Sequence, residues 1–400
     1  MQLTKKKMPA GLIVVLLAML LGLQPVTTDL YLPALPGLTK DLGALPSQAQ
    51  MTLTALLLAF GISQLVWGPL SDRFGRRPVL LVGLAAYALA SVGSALSTSM
   101  DTLIIWRTLQ GAAMGAGVMC ARAIVRDLYA PLEGATVMSK GLSGLAVIAC
   151  MSPPLGGLLT ALFSWHAAML ALAAFGVLAL ALVAWRFEET LAAPKPDALH
   201  ATQLLRTWGV IVRNPVFLAF SALTVCSYAG LFTFLATSSF VFIQVLGFST
   251  TQYGFFVFLN ALVYLCGTIL CRRLIARFGV RRTVAIGGCL TLSAGAAMLG
   301  FEWAGIVSGW AIMLPMGLFM LGHGVHQPCG QSGAVGPFPL SAGAASALNG
   351  FLMMAVVFFV GKWLGAHMDG TAAPLVHGIA FWSALIAASA WTLVQRYAPN

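Results

Sequence analysis

Long, continuous apolar runs dominate this chain, and nothing constrains its fold more. Twelve stretches carry about twenty residues each with few charges. They lie at about 9–32, 48–70, 78–98, 101–122, 135–160, 165–186, 215–240, 250–271, 281–301, 305–327, 341–365 and 373–395. A helix needs roughly 20 apolar residues to cross a bilayer core. Twelve crossings with short connections would use most of the 400 residues. The runs do not alternate polar with apolar, which argues against a membrane β-barrel. A hydrophobic share of 59% needs lipid as its solvent. The expected fold class is therefore an all-α integral membrane protein with twelve transmembrane helices.

The net charge of +11 is clustered, not spread. Lys5, Lys6, Lys7, Arg73, Arg76, Arg77, Arg122, Arg126, Lys140, Arg186, Lys195, Arg206, Arg213, Arg272, Arg273, Arg277, Arg281, Arg282 and Arg396 fall on one side of the twelve runs, and Lys40 and Lys362 on the other. Basic residues accumulate in cytoplasmic loops, so both termini are expected in the cytoplasm. The bilayer, and no nucleic acid, is then the large partner. Seven cysteines lie mostly inside apolar runs without CxxC spacing, which suits packing better than bridges or metal ligands. No metal site is expected. The basic start before an apolar run looks like a signal peptide without a small-residue cleavage site, hence a retained first helix. No phosphate-binding Gly-x-x-x-x-Gly-Lys-Ser/Thr loop occurs, which argues against an ATP-driven pump. The scattered histidines disfavour a membrane enzyme.

The longest polar stretch runs from Phe187 to Asn214. It reads as a linker with a short mixed helix around Leu204–Val212. Domains are expected at 1–187, 188–214 (linker) and 215–400, with six spans in each flanking half. After the second run stands Gly68-Pro69-Leu70-Ser71-Asp72-Arg73-Phe74-Gly75-Arg76-Arg77-Pro78, and the eighth run is followed by Arg277-Phe278-Gly279-Val280-Arg281-Arg282. Such a repeat implies two pseudo-symmetric six-helix halves with a substrate path between them.

These residues resemble the major facilitator superfamily. The first basic turn is similar to its signature between helices two and three. Arg107-Thr108-Leu109-Gln110-Gly111 is similar to the R-x-x-Q-G pattern of its drug–proton antiporters. Asp29-Leu30-Tyr31-Leu32-Pro33-Ala34-Leu35-Pro36 and Ala342-Gly343-Ala344-Ala345-Ser346-Ala347-Leu348-Asn349-Gly350-Phe351 look like the bicyclomycin/chloramphenicol-resistance subgroup. The resemblance implies the major facilitator fold in a bacterial inner membrane. It also implies proton-driven export of small amphipathic drugs by a monomer without cofactor. A metabolite or amino-acid exporter, for a cargo such as cysteine, is the competing expectation. Two departures stand out. Leu21 occupies a position that is acidic in some relatives, and Ser152-Pro153-Pro154-Leu155-Gly156-Gly157 has serine where the antiporter motif of helix five has glycine.

Asp29 is the first candidate, because an ionised carboxylate in hydrocarbon is expensive and usually faces a cavity. It is either a proton carrier or a solvated aspartate at the membrane edge. Arg107 keeps its charge and needs a counter-charge or carbonyl oxygens. It is either a partner of Asp29 or a structural arginine. Asp72, Arg73, Gly75, Arg76 and Arg77, with Arg122 or Arg126, suit a cytoplasmic gate whose ion pairs break as the halves move. Pro153, Pro154, Gly156 and Gly157 suit a hinge with close helix packing. Gln24, Thr28, Tyr31, Gln64, Gln110, Tyr228, Phe232, Asn260, Asn349 and Met353 are candidate cavity liners, with helix packing the alternative for each. His323 and His326 read as a satisfied buried pair.

Overall fold

The computed structural model describes residues 8–193, 200–306 and 308–398. Lys5, Lys6 and Lys7, and Pro194, Lys195, Pro196 and Asp197 of the linker, lie outside them. Helix α1 covers Ala10–Asp29 and continues through a 3₁₀ turn, Leu32–Ala34, into the short α2, Leu35–Asp41. Then follow α3 (Pro46–Phe74), α4 (Arg76–Ala95), α5 (Met100–Leu128), α6 (Pro131–Leu162) and α7 (Trp165–Arg186). The linker helix α8 spans Ala201–Val212. Beyond it lie α9 (Pro215–Phe240), α10 (Thr250–Trp303), α11 (Gly309–Val335), α12 (Ala342–His367), α13 (Ala373–Trp391) and α14 (Leu393–Tyr397).

Among the described residues, 10 helices are long and apolar enough to cross a membrane. One of them, α10, has 54 residues and breaks at Gly279, whose φ of 73° and ψ of 175° no helix accommodates, so it supplies two crossings. Helix α11 is as long as its neighbours but more polar, with His323, His326, Gln327 and Gln331 along it. It completes the twelve expected spans. The linker helix begins three residues before the expected Leu204 and ends at the expected Val212.

The six spans before α8 and the six after it repeat one pattern of contacts. In the first set α1 packs on α6, α3 on α5, and α4 on α7. In the second, α9 packs on α12, the first limb of α10 on α11, where Gly267 meets Leu321, and its second limb on α13, where Gly295 meets Ser383. The sets meet along two seams, α3 against α12 and α6 against α10. Small residues allow these approaches, as membrane helices require in the absence of a hydrophobic drive between them. A Cβ on Gly61 would overlap Met354 of α12, and one on Gly361 would overlap Thr54 of α3.

The bundle has two unlike ends. At the end opposite α8 the sets are closed together. Thr250 Oγ1 donates to the Gly157 carbonyl at 3.2 Å, and Gln50 Nε2 donates to the Ala236 carbonyl. Gly254 of α10 lies against the Pro153 carbonyl, and Gly365 of α12 against Ser47. Pro153, Gly156 and Gly157 thus sit where α6 presses on the end of α1 and the start of α10. At the linker end the sets part around a cavity of about 920 Å³.

Candidate functional site

The basic turn between α3 and α4 is set by Gly75. Its φ of 102° and ψ of 161° belong to a backbone region that only glycine reaches without strain. A Cβ there would also overlap the Glu189 carboxylate. That carboxylate accepts from the backbone N–H of Arg76 and of Arg77, both at 2.9 Å, and so caps the start of α4. Burial pushes the Glu189 carboxyl up, but these N–H groups and that of Leu191 outweigh it and hold it below the usual 4.5.

Arg76 is the centre of the turn. Its side chain is 1% exposed and pairs with Asp72 at 2.7 Å and with Asp127 of α5 at 2.9 Å. It also donates to Ser71 Oγ at 2.8 Å. Arg126 reaches Asp72 at 3.8 Å from an exposed position. The ion pairs expected of a gate are present, but all of them lie within the first set and persist while the sets stand apart at this end, so they do not bridge the sets here. Arg122 does not pair with Asp72. It turns instead to Ser346 of α12, bonding Oγ through Nη1. Arg77 Nη2 donates to the Ala184 carbonyl at 2.9 Å, near the end of α7. Arg73 lies over its neighbour Phe74, 5.4 Å from the ring centre.

Asp29 ends α1 and is half-buried between the sets. Thr28 Oγ1 donates to its Oδ1 at 2.7 Å. Cys150 of α6, Tyr228 of α9 and Tyr253 of α10 lie within electrostatic reach of its carboxyl. Gln24, earlier on α1, donates to the Tyr228 hydroxyl at 3.1 Å, a polar bond from one set to the other. Among the described residues Asp29 has no cationic partner.

Arg107 is the reason, because it faces elsewhere. It is fully buried, donating from Nη1 to Gln110 Oε1 at 2.6 Å and from Nη2 to the Thr27 carbonyl at 3.0 Å. Its guanidinium lies 4.4 Å from the centre of the Tyr31 ring. Residues two apart on a helix diverge by about 200°, so Thr27 addresses α5 while Asp29 turns away from it, toward Cys150 of α6 and Tyr228 and Tyr253 of the other set. The expected Asp29–Arg107 pair is corrected accordingly: an amide oxygen, a carbonyl oxygen and a ring face hold this arginine, and its buried Nε is left without a partner.

The expected cavity liners divide in the same way. Gln24, Thr28 and Tyr228 surround Asp29, and Gln64 lines the open cavity. The six others are packing residues. Tyr31 bonds Thr52 at 2.8 Å, Gln110 donates to Ser91 at 2.6 Å, and Asn260 contacts Met313 Sδ at 3.5 Å. Asn349 accepts from Thr224 at 3.1 Å, and Phe232 is buried beside Gly361. Met353 is buried as well. Each of these contacts lies within one set, where a buried polar group needs a partner. His323 is buried and bonded to Ser227 at 2.8 Å, while His326 approaches the Val284 carbonyl at 3.4 Å.

Sequence reasoning missed Asp127, Glu189 and Ser346. Asp127 had a signal, a carboxylate directly after Arg126 in a basic cluster. Ser346 lay in the Ala342–Phe351 stretch already singled out, and Glu189 had no signal beyond being polar. All seven cysteines are free thiols.

Comparison with known proteins places this geometry. The family model described as Major Facilitator Superfamily matches residues 17–362. Multidrug resistance protein D of Escherichia coli (strain K12) is 31% identical over 340 residues, covering 85% of each chain. A chloramphenicol resistance protein of Pseudomonas aeruginosa is 34% identical over 329 residues, covering 80% of this chain and 75% of the relative. Among solved structures, the xylose transporter XylE from E. coli in a partially occluded inward open conformation superposes with a TM-score of 0.75. It is 13% identical and covers 98% of both chains, which is a likeness of fold alone.

Proposed function

The chain belongs to the Major Facilitator Superfamily, and from that premise we propose that it exports small amphipathic drugs across a bacterial inner membrane in exchange for protons. The observation that carries this reading is Asp29, a half-buried carboxyl between the two sets with a hydroxyl donor and no cationic partner. Such a group can hold a proton in one conformation and release it in another. The names of the two relatives, multidrug and chloramphenicol resistance proteins, support a drug as cargo.

On this reading the regions 1–187 and 215–400 rock as two bodies joined by the linker. The basic turns support an orientation with the linker end, and with it both termini, in the cytoplasm. The structure then stands open to the cytoplasm and closed to the outside. Drug enters at the linker end while Asp29 gives up its proton. The sets close around Asp72, Arg76 and Arg122 and part at the α6–α10 seam. A proton from outside then neutralises Asp29 and weakens drug binding. Arg107 positions the end of α1 through the Thr27 carbonyl, next but one to Asp29. Moving one charge across 100 mV supplies about 2.3 kcal/mol, enough for roughly a 50-fold gradient of a neutral drug. The unit of function is a monomer, and the proton gradient takes the place of a cofactor.

The test is reconstitution of the full chain into liposomes with an imposed pH gradient. Accumulation of chloramphenicol that collapses when the gradient is dissipated is the expected result. Movement indifferent to the gradient for every drug tried would overturn the proposal.

A further inference from the structure

The cavity at the linker end has an unbalanced charge. Its walls carry Asp72, Arg122 and Arg126. Asp72 is already held by Arg76 at 2.7 Å and approached by Arg126 at 3.8 Å, and Asp127 is held by Arg76 at 2.9 Å. Two carboxylates and two guanidiniums thus neutralise one another. Arg122 is left over. Among the described residues no carboxylate lies within ion-pair distance of it, and of its five N–H donors the structure engages one, with Ser346 Oγ. A half-buried guanidinium with a neutral partner is an incomplete site, because arginine is at its strongest against a carboxylate or phosphate that takes two of its N–H groups.

The surroundings add to this. The first turn of α12, through Ala342, Gly343 and Ala344, lines the same cavity, and no side chain caps it. The positive end of its helix dipole favours a negative charge there. Gln64 supplies a neutral amide, while Met119 and Trp208 supply apolar wall. A volume of about 920 Å³ holds a drug-sized molecule.

We infer that this cavity is a loading site for amphipathic organic anions, whose acidic group bonds Arg122 and the start of α12 while their apolar body lies against Met119 and Trp208. The inference deepens the export reading by naming a class of cargo, and it rests on that reading for its purpose but not for its geometry. It also gives the linker helix a part in recognition, since Trp208 belongs to α8. On binding, the anion displaces Ser346 from Arg122 and so loosens one bond between α5 and α12.

The experiment uses the purified full chain in nanodiscs of uncharged phosphatidylcholine, so that no lipid anion competes. The probes are radiolabelled 1-naphthaleneacetate and its neutral amide, measured by scintillation proximity at low salt. The acid is expected to bind about tenfold more tightly than the amide, a difference of about 1.4 kcal/mol. Arg122→Gln should bring the two within about twofold, and Arg122→Lys should restore most of the preference. Equal binding of acid and amide by the unaltered protein overturns the inference without any variant. A preference that survives Arg122→Gln in folded protein overturns the assignment to this residue. Chloramphenicol export in the liposome assay reports separately on the export reading. Loss of acid preference with export intact sinks only this inference, and the reverse result sinks only the other.

Discussion

Gln24 of α1 donates a 3.1 Å hydrogen bond to the Tyr228 hydroxyl of α9, tying the two six-helix sets together less than two turns from Asp29. A bond of this kind is worth about 1 kcal/mol net. Tyr228→Phe should therefore shift the balance toward the state open opposite the linker by about fivefold. Spin labels at Leu96→Cys and Trp303→Cys, both exposed at that end, report the change once the native cysteines are replaced. The long-distance population should grow in Tyr228→Phe. An unchanged distribution would mean that this bond does not hold the sets together.

The Arg76 cluster predicts a large loss of stability. With the guanidinium 1% exposed between two carboxylates, Arg76→Ala leaves Asp127 with only the Thr190 hydroxyl and Asp72 with only the more distant Arg126. Breaking a buried pair in this way costs about 3–5 kcal/mol. Arg76→Lys should recover only part, because an ammonium cannot serve Asp72, Asp127 and Ser71 with the geometry of a guanidinium. Thermal unfolding in detergent should rank wild type above Arg76→Lys and that above Arg76→Ala.

Gly75 and Gly279 make a matched pair for a second stability test. Both have a positive φ, 102° and 73°, so alanine is strained at either by about 1–3 kcal/mol. A Cβ at Gly279 meets open space, whereas one at Gly75 runs into the Glu189 carboxylate. Gly75→Ala should lower the unfolding temperature clearly more than Gly279→Ala. Equal losses would show that the Glu189 cap contributes little.

Glu189 also predicts a pH dependence. Its folded carboxyl sits below the ordinary 4.5, so the cap contributes fully above that value and is lost as pH falls through the lower folded value. The difference in unfolding temperature between wild type and Glu189→Gln should be present at neutral pH and shrink below about pH 4.5. A difference that grows on acidification would contradict the assignment.

Much of the fold was readable because the bilayer imposes it. Apolar runs of helix-crossing length located all twelve spans, and α7 and α9 fall on their expected ranges. Gly75 announced its turn because few residues take that backbone. The site was less readable, since its partners are far apart in the chain. Arg76 finds Asp127 across 51 residues and Glu189 across 113. Helical phase hid the rest. Thr27 and Asp29 look adjacent, yet one serves Arg107 and the other faces α9 and α10. Polar residues inside spans were ambiguous for a physical reason: cavity and seam demand the same side chains, and only packing separates Gln64 from Gln110.

The measurement that bears most directly on proton-coupled export is Asp29→Asn in liposomes with an imposed pH gradient. Asparagine keeps the size and hydrogen bonding of the site and removes the exchangeable proton. The variant should still bind chloramphenicol, within about threefold of wild type, but should not accumulate it against a gradient. Gradient-driven accumulation by Asp29→Asn at the wild-type rate would contradict the account.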